Sequence, residues 1–255
     1  EMFPLLLLAT ASTLVLDEDF SSSARFSVVD ANGNPQSFFT DGSGDYFGIF
    51  NGDGNSTFSG TAPSSSLATD ARPSGLASYT GFTMPYLVAE DIDGDGAMDP
   101  FVLTWTSVDI STCNSLSFEG TFAAPSKKDD AADYVRVEAS IDGGAAINLV
   151  WFSANGDQSN EYFALDADFD GFGEGAQLTA AAQTFTKDIT GTGSSLVLTV
   201  RIRVEAGDEN IAMDDLQVSC STDVLSPSPP SVPPSFPPPS LPPTQPPLPP
   251  SAPIT

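Results

Sequence analysis

Ser115-Leu116-Ser117-Phe118-Glu119-Gly120-Thr121-Phe122 alternates without a break: Leu116, Phe118, Gly120 and Phe122 fall on one face, Ser117, Glu119 and Thr121 on the other. Successive side chains of a β-strand point to opposite faces, so this stretch predicts a strand with one side buried and one side wet. Working outward, the same reading applies to Phe26–Val29, Tyr46–Phe50, 101–106, Tyr134–Ile141, 147–152, 196–204 and 211–218, separated by clusters of Gly, Asp, Asn and Ser. Asp142-Gly143-Gly144 between two of them is a hairpin signal that fixes antiparallel pairing. Helical periodicity is nearly absent. The pattern predicts an all-β fold, two antiparallel sheets packed face to face in a jelly-roll-like sandwich spanning 12–222. The Gly-, Ser- and Asp-rich stretch 30–80 is expected to supply long loops on one edge.

Composition narrows the function. Eight Lys+Arg stand against 34 Asp+Glu in 255 residues, a formal charge of -26. Such a surface repels nucleic acid and anionic lipid, and its crowded carboxylates are natural ligands for hard cations, which makes calcium the expected cofactor. The chain has no histidine, so imidazole bases, histidine triads and His-containing zinc sites are excluded. Its only cysteines are Cys113 and Cys220, too few for a metal cluster; they read as one structural disulfide, with two buried thiols as the alternative.

The two ends differ from the middle. Residues 1–11 combine the apolar run Met2 to Leu8 with the small-x-small pattern Ala9-Thr10-Ala11 and read as a signal peptide, a buried first strand being the alternative. No stretch approaches the roughly 20 apolar residues of a membrane helix. From 223 to 255 the composition shifts: Ser226 to Pro253 holds 15 of the 22 prolines and no charge. Fixed φ and missing N–H donors predict an extended polyproline II stalk there. Its Ser-Pro and Ser-Pro-Pro units resemble the hydroxyproline-rich stalks of plant and green-algal wall glycoproteins, the pherophorins and extensins; a ligand for cytoplasmic proline-binding domains is the competing reading. Together these features place the protein outside the cell, in the wall or at the surface.

Two segments space carboxylates at alternate positions before a glycine: Asp91, Asp93 and Asp95 with Asp99, and Asp166, Asp168 and Asp170 with Glu174. D-x-D-x-D-G lets a tight loop wrap one ion, and glycine permits the sharp turn. Val102 and Gln177 stand where an EF-hand places its bidentate Glu, so the resemblance to dockerin and thrombospondin-type calcium loops is one of ligand spacing; solvated acidic turns are the alternative. A second constellation joins the two ends of the domain, Asp17-Glu18-Asp19-Phe20 and Ile211-Ala212-Met213-Asp214-Asp215. It resembles the ends of MAM-like domains and related carbohydrate-binding-module-like jelly rolls. The resemblance implies a structural cation held by Glu18, Asp19, Asp214 and Asp215; exposed acidic strand ends are the alternative.

Asn55-Ser56-Thr57 matches the N-glycosylation acceptor. Among the aromatics, Tyr86 and Tyr162 near acidic loops are the sugar-stacking candidates, while Trp105 and Trp151, inside apolar strands, are expected in the core. Paired carboxylates hydrolyse glycosides in some enzymes, but no E-x-D-x-x-E or E-x-D-x-E strand motif occurs here, and no catalytic residue is assigned. The function expected is a secreted, calcium-stabilised, non-catalytic binding or adhesion module that recognises a glycan or another extracellular-matrix component. A structural component of a wall or extracellular filament, and the accessory domain of a secreted hydrolase, are the alternatives.

Overall fold

A computed structural model describes residues 12–21, 25–36, 38–40, 46–50, 79–83, 85–93, 99–124, 132–156, 161–206 and 209–222. The leader segment 1–11, the acceptor Asn55, the ligand candidate Asp95 and the proline-rich segment 223–255 lie outside these residues. By its contacts the chain divides into Glu1–Asp223 and Val224–Thr255.

Fourteen strands and no helix occur among the described residues. In chain order they are β1 (Ser12–Glu18), β2 (Phe26–Val29), β3 (Phe39–Thr40), β4 (Tyr46–Phe50), β5 (Tyr86–Glu90), β6 (Phe101–Trp105) and β7 (Val108–Asp109). There follow β8 (Ser115–Ala123), β9 (Tyr134–Ile141), β10 (Ile147–Ala154), β11 (Phe163–Leu165), β12 (Gln183–Ile189), β13 (Ser195–Arg203) and β14 (Asn210–Ser221). One sheet has the order β12-β8-β14-β5-β4-β3, with β1 also on β14; the other runs β11-β10-β9-β13-β6-β2, with β7 also on β13. Each strand pair in both sheets is antiparallel, the expected jelly-roll-like sandwich.

The alternating faces meet between the sheets. Phe118, Phe122, Leu216 and Val218 from the first pack with Trp105, Val137, Phe152, Leu198 and Val200 from the second in one apolar cluster. Gly120 belongs to this face for a steric reason: an added Cβ would lie 2.7 Å from the Phe118 ring and 2.9 Å from that of Phe122. In the β9–β10 connection Asp142 (φ 51°) and Gly143 (φ 69°) both take left-handed conformations, and Gly144 N donates to Ile141 O at 2.8 Å. The two positive φ values match the primed turns that suit twisted hairpins.

β14 organises the first sheet. Its first half pairs with β5 and its second half with β1, on the side away from β8. A register shift between Asp214 and Gln217, with Asp215 at φ 50°, forms a bulge where the partner changes. Bulges re-aim side chains, and this one brings two carboxylates beside the end of β1. Near the other end of β14 a disulfide joins Cys220 to Cys113, their Cα atoms 5.3 Å apart, as expected from the pair of cysteines.

Candidate functional sites

Three places on the sandwich collect polar chemistry: the end of β1 against the bulge of β14, the loop after β11, and the outer face of the second sheet.

At the first, Glu18 lies opposite Leu216 and is 3% exposed. Its Oε1 accepts the N–H of Phe20 at 3.0 Å and its Oε2 the indole N–H of Trp105 at 3.1 Å. Asp19 accepts both the N–H and the hydroxyl of Ser21, which lowers its carboxyl below the ordinary value. Asp214, 2% exposed, accepts the Asp215 N–H at 2.8 Å. Burial first, then the negative charges of Asp215, Asp19 and Glu18, push Asp214 up to about 8. Burial also raises Glu18, and burial with the charges of Asp17 and Asp19 raises Asp215. The bulge and the β1 end thus set the four residues nominated from the two chain ends within electrostatic reach of one another, without gathering three of their oxygens within 4.8 Å. Neighbouring carboxylates are relieved either by protons or by a cation.

The second site is tighter. Asp166, fully buried, accepts the N–H of Asp170 on Oδ1 at 3.1 Å and that of Gly171 on Oδ2 at 2.7 Å. Phe169 (φ 64°) and Gly171 (φ 98°) supply the left-handed turns that fold the loop back on its first residue. Glu174 Oε1 accepts the Ala167 N–H at 2.9 Å. Ligand oxygens of Asp166, Asp168 and Glu174 lie within 4.8 Å of one another, the one such grouping among the described residues. Three hard carboxylate oxygens in a turn suit calcium chemically. Asp170, nominated with them, instead accepts the Phe172 N–H at 2.9 Å and stands outside the trio. The loop is tied to the sheet by Asp166 N to Trp151 O at 2.9 Å, Gly173 N to Ala154 O at 3.1 Å and Gly175 N to Leu165 O at 2.8 Å.

Among the described residues, the other nominated acids are not gathered in this way. Asp91 (φ 44°) and Asp93 begin the first acidic loop, whereas Asp99 is drawn into an ion pair with Arg203 of β13. Hence Asp99 joins the second sheet rather than closing a ring with Asp91 and Asp93.

The aromatic candidates also separate. Tyr86 is 4% exposed, packed with Tyr46, Val88 and Ala212 under Tyr79, Phe82 and Phe50, with the Phe82 ring stacked on it at 4.7 Å. Burial on the outer side of β5 leaves it little surface for a sugar, which corrects its nomination. Tyr162 stands in the β10–β11 connection, half-buried, bonded through its backbone to Asn155. Trp105 lies in the core as expected, and Trp151 is buried too, at 9% exposure, though outside the apolar cluster between the sheets. Its partner in register is Arg136, so it faces outward from the second sheet while Val150 and Phe152 face in.

That outward face carries an arrangement which sequence reading missed. The Arg136 guanidinium carbon lies 3.9 Å from the Trp151 ring centroid and 4.1 Å from that of Tyr134. Phe169, from the Asp166 loop, meets the Trp151 ring edge-on at 5.5 Å. The next strand contributes Arg201, bonded to Glu138 at 3.0 Å, and Arg203, paired with Asp99 and Glu205. A signal was present: Tyr134, Arg136 and Glu138 alternate with Val135, Val137 and Ala139, which puts the arginine on the wet face.

No family model matches the chain, and no curated protein matches it. Among solved structures, a cleaved adhesin domain of Lys-gingipain from Porphyromonas gingivalis is similar at 17% identity and TM-score 0.40, over 81% of this chain and 99% of that one. A cyclase from Fischerella is similar at 10% identity and TM-score 0.42, over 82% and 97%. A xylan-binding domain from Paenibacillus barcinonensis is similar at 11% identity and TM-score 0.34, over 85% and 99%.

Proposed function

We propose that this chain is a secreted, non-catalytic binding or adhesion module, stiffened by calcium, which presents its sandwich to a glycan or other extracellular-matrix component. The observation that carries the metal part is the trio Asp166, Asp168 and Glu174, its oxygens within 4.8 Å in a loop whose amides already hold Asp166. Calcium there would supply the positive charge that three converging carboxylates lack, and would fix Phe169 against Trp151 on the recognition face. Glu18, Asp19, Asp214 and Asp215 are proposed as a second, structural seat. The disulfide supports an oxidising, extracellular setting, where such bonds persist. The absence of histidine supports a binding role over most acid–base chemistry.

Calorimetry of the chelator-treated protein with calcium, paired with thermal melts in calcium and in chelator, tests the metal part. Heat of binding with an upward shift of the melt is the expected result; no heat and no shift would leave an acidic module that needs no cation. A glycan array in calcium tests recognition, and binding to none of its glycans would instead favour a structural wall or filament component.

A further inference from the structure

Arg136 stands on the outer face of the second sheet in a chain with 34 acidic and eight basic residues, yet among the described residues no carboxylate lies within 4 Å of its guanidinium. Its neighbours on the same face do have such partners: Arg201 has Glu138, and Arg203 has Asp99 and Glu205. Arg136 is instead gripped between the rings of Tyr134 and Trp151, at 4.1 and 3.9 Å.

The grip has a cost. Arg136 Nε, Trp151 Nε1 and Ser153 Oγ are all buried and have no hydrogen-bond partner among the described residues. The three sit on two adjacent strands, Trp151 opposite Arg136 and Ser153 opposite Tyr134. Buried unsatisfied groups are rare in native folds, and one cluster of three signals a place where stability has yielded to another requirement. What the cost secures is position: two ring contacts at 4.1 and 3.9 Å hold the guanidinium in place, and a half-buried arginine so held is a pre-set fork for a planar oxyanion.

We infer that Arg136 is the anion-reading contact of this face, and that its ligand is the carboxylate of a uronic acid residue set in an otherwise neutral glycan. The inference rests on the glycan-binding reading above and adds the chemical class. A carboxylate matches the guanidinium fork with two parallel hydrogen bonds. Isolation of that carboxylate follows from the surroundings: Glu138, Asp99 and Glu205 flank the fork, and a net charge of -26 repels a chain of acids. Thr199, Glu138, Asn148 and Ser140 lie on the same face and supply polar groups suited to sugar hydroxyls.

The experiment compares the full chain with its Arg136→Lys variant on an array carrying uronate-bearing glycans, the same glycans with the carboxyl reduced to an alcohol, and fully acidic polyuronates. The expected result is binding to uronate-bearing glycans that falls roughly tenfold or more on carboxyl reduction, and equally in the lysine variant, which keeps the charge but loses the fork. Carboxyl reduction needs no variant, so a poorly folded R136K leaves the comparison intact. Equal binding of native and reduced glycans overturns the inference while the glycan-binding reading stands. Tighter binding to polyuronates also overturns it, since the isolated carboxylate would be wrong. Binding to no glycan of any kind overturns both.

Discussion

The indole of Trp105 donates to Glu18 Oε2 at 3.1 Å, so a side chain of the second sheet holds a carboxylate of the first inside the sandwich. Both residues are nearly inaccessible, at 2% and 3% exposure. The contact ties the acidic end of β1 to the apolar core, and makes the geometry of the four-carboxylate cluster depend on how the sheets stack.

Trp105→Phe removes that donor and leaves a buried carboxylate oxygen unsatisfied. The expected loss is about 1–3 kcal/mol from the hydrogen bond alone, with a further loss from the smaller ring, read as a lower urea midpoint at unchanged slope. An unchanged midpoint would mean that Glu18 draws nothing from the indole.

Asp214 sets a pH dependence with a defined sign. Its folded value of about 8 lies above the ordinary 3.8, so the native state keeps a proton that the unfolded chain has released throughout that window. The stabilisation is complete below about pH 4 and is lost as pH rises towards 8, so chelated protein should melt at progressively lower temperature across it. The raised values of Glu18 and Asp215 act in the same direction, that of Asp19 in the opposite one. Asp214→Asn should flatten the slope; a slope identical to that of the native protein would assign it to general charge repulsion instead.

Reducing the Cys113–Cys220 bond, which spans 107 positions of sequence, should lower stability by about 2–4 kcal/mol through the freed unfolded chain. Denaturant titrations with and without reductant measure this. Equal midpoints would show that the strand pairing around Cys220 suffices.

Gly173→Ala addresses the proposed calcium loop. An added Cβ would fall 2.4 Å from Ser153 O and 2.8 Å from Ala164 O, so the backbone before Glu174 must move away from β10. Loss of that support should weaken calcium binding by about 10- to 100-fold in calorimetry, the range found when ligand-orienting contacts are removed. An unaltered affinity would exclude Glu174 from the seat.

How much of this was readable from residues depends on burial on one face or two. β8, β9 and β13 are buried on one side and alternate visibly, so their limits were found to within about two residues. β5 escaped notice because Tyr86, Leu87, Val88, Ala89 and Glu90 are all buried, which erases the alternation. β12 escaped for the opposite reason: as an edge strand it leaves Thr184, Thr186, Lys187 and Asp188 exposed. Carboxylates close in sequence, such as the grouped Asp166, Asp168 and Glu174, could be read from spacing. The Arg136 stack could not, because it depends on which strands pair and in what register. Trp151 is buried as its apolar strand predicts, but on the outer side of β10, where Phe169 and Arg136 cover it; that side, too, is set by the pairing.

The pairing of β1 with β14 has a mechanical consequence. Ser12 lies opposite Ser221, so the chain enters and leaves the sandwich side by side. Tension applied between these two points would peel β1 from β14 one residue pair at a time, the weakest direction in which to load a sheet. Tension applied to the chain beyond Thr222 alone meets a different path: Asn114 bonds Ser221 O and Thr222 O at 2.7 and 2.6 Å, and the Cys113–Cys220 bond passes the load covalently to the segment before β8. Held from its carboxyl side, the domain is anchored like a rivet; pulled from both sides, it opens like a seam.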